Sequence, residues 1–251
     1  MGGYIRNVKL LALLAKIQNP KPGINAKLWG FYYWRTLHFV SLFDSTPYTT
    51  AEQEHFLDLL MCSLTCRLCR ESFALFRSLV SLPVFLKHSP RFGLAMYLYT
   101  AHAYVQMKKT NLAVPLITFA ESVKLYKQLP RSIVVSDFFT TLYFLLEHYP
   151  DVAPDTTFTR STNREFATEW VSRFARAYYR DDVEKQRRMK IKITLPWSAN
   201  STALLAELYK HEQGLGQTKD TFTTIHHQTQ MWAQAKVLEE ELEEPTINYS
   251  N

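Results

Sequence analysis

The sequence predicts an all-α protein, on three observations. Hydrophobic residues fill 47% of its 251 positions and glycine only seven, a balance that favours a folded, helix-rich chain over a disordered one. Large residues recur at four-residue spacing, as in Trp34, His38 and Leu42, and again in Phe166, Trp170, Phe174 and Tyr178, so each set shares one helical face. Capping-box patterns, Thr50-Ala-Glu-Gln53 and Thr162-Asn-Arg-Glu165, stand where two of the helices would open.

Composition sets further bounds. The length allows one large domain or two small ones. The net charge of +6 permits weak attraction to nucleic acid or anionic lipid and requires neither, so no specific nucleic-acid partner is expected. Three cysteines are too few for a secreted disulfide scaffold, which makes a reducing interior the expected compartment. The chain has neither a Walker loop nor a glycine fingerprint for dinucleotides.

The elements follow in order. Leu10 to Leu14, bracketed by Lys9 and Lys16, reads as a short amphipathic helix too short to span a membrane, and no transmembrane segment is expected. Arg6 stands where a myristoylation signal carries Ser or Thr. Asn19-Pro20-Lys21-Pro22-Gly23 breaks the chain before a helix from Ala26 to Phe43. The next helix opens at Thr50, with an apolar side of Phe56, Leu59, Leu60, Leu64 and Cys66. Pro83 closes the segment after Cys69, and a helix runs from Arg91 to Lys109.

Helical patterning continues over Pro115–Leu129 and Ser136–Tyr149. Pro150–Thr162 is polar and reads as a linker, followed by the helix bearing Phe166 to Tyr178. The basic run Lys185–Lys192 reads as a solvated edge or a contact for an acidic partner, lipid or nucleic acid. Two more helices are expected, at Ser201–Glu212 and His226–Glu244.

Three stretches carry candidate chemistry. Cys62-Ser-Leu-Thr-Cys66-Arg-Leu-Cys69 holds every cysteine and ends in C-x-x-C. Cysteines at i and i+3 share a helical face and close a disulfide with little backbone movement, while Arg67 and Arg70 would favour a thiolate. The same residues also suit a zinc site completed by a histidine, or plain packing. Trp34 and His38 would form one wall for a planar aromatic ligand, or an aromatic core with a satisfied histidine. His102, Val105 and Lys108 would grip an adenine and its phosphates, or simply end a helix in a basic turn.

Lys27-Leu-Trp29-Gly30-Phe-Tyr-Tyr-Trp34-Arg-Thr-Leu37-His38 resembles the W-G-x-x-x-W-x-x-L-H opening of the Erv/ALR family of FAD-linked sulfhydryl oxidases. The C-x-x-C follows at about the family's distance. The family's H-N-x-V-N motif corresponds to His102-Ala103-Tyr104-Val105-Gln106, with Ala103 and Gln106 in place of both asparagines. The resemblance covers roughly residues 25 to 125.

It implies a four- to five-helix bundle at residues 25–130, after an N-terminal segment of residues 1–24. Residues 131–251 would be a further, mostly helical extension. It also implies catalytic cysteines Cys66, facing substrate, and Cys69, facing the flavin; a single extra thiol cannot store two electrons alone, so Cys62 reads as a packed bystander. FAD would be held by Trp29, Gly30, Trp34, His38, His102, Val105 and Lys108, with no metal. Protein dithiols would be oxidised and molecular oxygen reduced to hydrogen peroxide, by a homodimer. The lack of a second cysteine pair is similar to the short versions encoded by large DNA viruses, which implies host cytoplasm or virion as location and virion proteins as substrates. A non-catalytic interaction protein keeping the fold is the other reading.

Overall fold

A computed structural model describes residues 26–64, 67–110, 117–147, 156–180 and 182–187. The described residues form helices α1 (Ala26–Phe43), α2 (Thr50–Ser63), α3 (Arg67–Leu79), α4 (Leu82–His88), α5 (Gly93–Thr110), α6 (Phe119–Lys127), α7 (Arg131–Glu147) and α8 (Thr156–Tyr179). A short helical run over residues 183–187 follows. None of the described residues is in a strand, so this part of the chain is all-α. No helix among them is long and apolar enough to cross a membrane. The expected N-terminal helix, Cys66, the C-terminal part of the basic run and the two C-terminal helices lie outside the described residues.

α1 is the central element. It packs on α5 and α6 along one flank and on α7 and α8 along others, while α2 packs on α8 and α3, and α3 on α5. The expected α1 boundaries are the observed ones. Its neighbours explain its composition: a helix contacted on several sides must be apolar nearly all round. Tyr33, Leu37 and Val40 are buried, as is Trp29 one turn before Tyr33.

The α8 stripe is buried as its spacing predicts, with Phe166, Trp170 and Phe174 at 0% exposure and Tyr178 at 8%. These rings stack on Tyr33 of α1, Phe56 of α2 and Phe138 of α7; the closest pair, Phe138 and Phe174, has centroids 3.8 Å apart. The helices from the segment expected as an extension therefore share one core with α1 and α2. Arg173 is buried in that core. Its guanidinium lies over the rings of Tyr48 and Phe56 at 3.8 and 4.1 Å, and its N–H groups donate to Gln53 and Glu169.

Several local expectations need correction. The capping box of α2 is Thr49 with Glu52, one residue earlier than expected: Thr49 Oγ1 accepts from the Glu52 N–H, and the Glu52 carboxylate accepts from the Thr49 N–H at 2.7 Å. A carboxylate is the stronger acceptor, and Gln53 is occupied instead by Arg173. Thr162-Asn-Arg-Glu165 opens no helix, because α8 already begins at Thr156 and takes up the second half of the expected linker; Glu165 pairs with His55 at 2.8 Å. Pro83 sits in the first turn of the short helix α4, where a missing N–H costs nothing. α4 then turns tightly into α5: a Cβ on Gly93 would lie 2.8 Å from the Leu86 backbone.

Candidate functional site

α1 and α5 bring three candidate residues together. Gly30, Trp34 and His38 recur every four residues, so they line one face of α1. On the facing side of α5 His102 stacks on Trp34, with centroids 4.3 Å apart and planes 5° from parallel. Trp34 and His38 stack at 5.7 Å, and His38 and His102 at 5.2 Å. The two imidazoles also meet edge to edge, His38 Nε2 lying 2.9 Å from His102 Nδ1. Trp34 and His102 are half-buried, whereas His38 is 3% exposed. Burial, and next the neighbouring His102, push the His38 imidazole down to about 3, so it is neutral at physiological pH.

Trp29 is not part of this stack. It packs edge-on against Tyr33, which stacks on Phe166 and Trp170 in the core. Adjacent helical positions diverge by about 100°, so Trp29 and Gly30 cannot serve the same face. Beside Gly30 the space is open, and a Cβ there would meet nothing within 4 Å.

The other end of the site comes from α5 and α3. His102, Val105 and Lys108 follow at three-residue spacing along α5, and Lys108 Nζ reaches Ser72 Oγ of α3 at 3.5 Å. Ser72 and Cys69 are three apart on α3 and share a face. Phe76 of α3 packs against Tyr97 and Tyr104 of α5 at 5.3 and 5.7 Å. The helix that carries Cys69 and the helix of His102 are thus direct neighbours.

Cys69 is half-buried against the core and disulfide-bonded, while Cys62 is a buried thiol outside any disulfide. A disulfide sulfur is not the thiolate that zinc requires, and no group of three or more metal-ligating side chains occurs among the described residues. Cys62 is 2% exposed, and burial, followed by the charge of Asp58, pushes its thiol up to about 12. Arg70, expected to favour a thiolate, lies in the interior. It is 2% exposed, and its Nη1 donates to the Leu64 carbonyl at 2.6 Å, tying α3 to the end of α2.

Sequence reasoning missed two contributors. Tyr126 of α6 lies against the His38 ring at 4.7 Å. Next to this assembly Arg35 Nε and Asp137 Oδ2 form an ion pair 2.7 Å apart. Burial raises the Asp137 carboxyl to about 7 against the opposing pull of Arg35. One arginine and one aspartate, each inside an otherwise apolar helix, were the available signal.

The residues present fit a flavin nucleotide in chemical type: flat rings from Trp34 and His102, open space at Gly30, a cation at Lys108 and a disulfide on the adjoining helix. No protein-family model, curated protein or solved structure matches the chain.

Proposed function

We propose that this protein is an FAD-linked sulfhydryl oxidase of Erv/ALR type that forms disulfides in protein dithiols. The observation that carries the reading is the stack of Trp34 and His38 on His102. Two motifs that resemble the family, 64 residues apart, meet in one cluster, beside the helix that carries a disulfide-bonded Cys69.

Trp34, His38, Gly30, His102, Val105 and Lys108 would hold FAD, with Trp29 supporting the site from the core. When bound, the flavin supplies a two-electron acceptor that molecular oxygen re-oxidises, giving hydrogen peroxide. The chain's own part is thiol exchange. A substrate thiolate attacks Cys66 Sγ, the Cys66–Cys69 bond breaks and Cys69 leaves as thiolate. A second substrate thiolate then attacks the mixed disulfide and releases Cys66. The substrate has lost two electrons and the pair has gained them. A virion or host-cytoplasmic setting, virion-protein substrates and a homodimer belong to the same proposal.

The test is direct. The purified chain, incubated with FAD and freed of excess, should retain yellow flavin and make peroxide from dithiothreitol. Cys69→Ser should retain the flavin and lose the peroxide. Normal peroxide production by Cys69→Ser would refute the assignment.

A non-catalytic protein of the same fold is the second reading, and Ala103 favours it. Ala103 is buried and carries no polar side-chain atom where the motif has asparagine. A folded chain that takes up no FAD would select this reading.

A further inference from the structure

The contact between His38 and His102 has a proton count. Two neutral imidazoles meeting nitrogen to nitrogen share one proton, so one ring donates and the other accepts. The 2.9 Å separation fits such a bond, and a neutral His38 follows from its burial.

The partner on the opposite edge of His102 decides the direction. Gln106, one helical turn further along α5, brings its side-chain amide nitrogen to 3.4 Å from His102 Nε2. An amide nitrogen donates and does not accept, so His102 Nε2 presents a lone pair and the ring's proton is on Nδ1. That Nδ1–H points at His38 Nε2, which accepts. His38 in turn carries its own proton on Nδ1. Turning the amide over would reverse every step, because Oε1 accepts and would call for a proton on His102 Nε2.

We propose that Gln106, standing where the motif has its second asparagine, is a positioning residue that fixes the tautomers of both His102 and His38. Its amide faces a histidine of the site, so that both ring nitrogens of His102 have a partner. The ring then offers an uncharged π-face alongside Trp34. The relevance to a flavin site rests on the oxidase reading, but the tautomers belong to the chain alone.

The experiment is side-chain nitrogen NMR of the full-length chain at neutral pH without added flavin. The unmodified chain should show His38 and His102 both protonated at Nδ1 and bare at Nε2. Gln106→Glu places an acceptor in the same spot, and His102 Nε2 should gain a proton, whether the ring stays neutral or becomes imidazolium. Gln106→Leu should give His102 a mixture of tautomers with helical content unchanged. A proton on His102 Nε2 in the unmodified chain overturns the proposal, as do unchanged tautomers in Gln106→Leu. Failure to bind FAD, measured separately, would sink the oxidase reading and leave this result standing.

Discussion

The two flanks of α1 are built for different ends. Toward α8 it presents Trp29, Tyr33 and Leu37 to an aromatic core in which Phe166, Trp170 and Phe174 have no exposed surface. Toward α5 and α6 it presents Gly30, Trp34 and His38 to the His102 imidazole, the Tyr126 ring and open space. One helix thus carries stability on one side and candidate chemistry on the other, separated by a single step in sequence. The core flank gains from the area it removes from water. The other flank leaves ring surface and polar edges available, at a cost in local burial.

The largest effect that would break this division is expected on the core flank. Trp170→Ala should cost about 3–5 kcal/mol, the usual range for deleting a fully buried aromatic ring, measured by urea unfolding. Under conditions where the variant is folded, its FAD content should match that of the unmodified chain. Selective loss of FAD would mean that the two flanks are not separable.

An intermediate effect concerns pH. His38 binds its proton less well folded, at about 3 against 6.5, so it makes stability fall as pH drops from about 6.5 toward 3. Asp137 binds its proton more tightly folded, at about 7 against 3.8, so its contribution is full below about 4 and is lost as pH rises toward 7. The two slopes oppose each other between about pH 4 and 6.5. Asp137→Asn should unmask the histidine slope, with stability falling by about 1.4 kcal/mol per unit as pH is lowered through that window. Unfolding curves across pH that run parallel for the two proteins would refute the pairing.

The smallest effect is expected at Cys62→Ala, about 1 kcal/mol of stability, as for a small buried apolar group. Peroxide production from dithiothreitol and from a protein dithiol should both persist. Loss of the protein reaction alone would make Cys62 an electron relay.

Helical periodicity made much of this legible. The α1 limits and the buried stripe of α8 were readable because four-residue spacing describes a face directly. The meeting of Trp34 and His38 with His102 was legible only through the motif, since nothing in the spacing of one helix names its neighbour. Trp29 was legible as part of the motif but not as a core residue, because sequence adjacency conceals divergence around a helix. Thr49 and Thr50 both begin a capping pattern; a carboxylate at Glu52 and a competing partner for Gln53 decide between them. Arg70, Arg173 and the Arg35–Asp137 pair escaped for a common reason. A charge becomes an interior residue only through partners far along the chain or in a loop.

Arg173 to Gln53 closes 120 residues and Arg176 to Asp44 closes 132. An all-helical chain is expected to assemble quickly from local contacts, but here the middle helix meets its last wall only when α8 exists. During synthesis at about 5–20 residues per second, the apolar flank of α1 would wait on the order of ten seconds for that partner. Over that interval the nascent chain exposes Tyr33 and Phe56 without their covering rings. The α8 clasp makes the finished core dependent on its own late arrival.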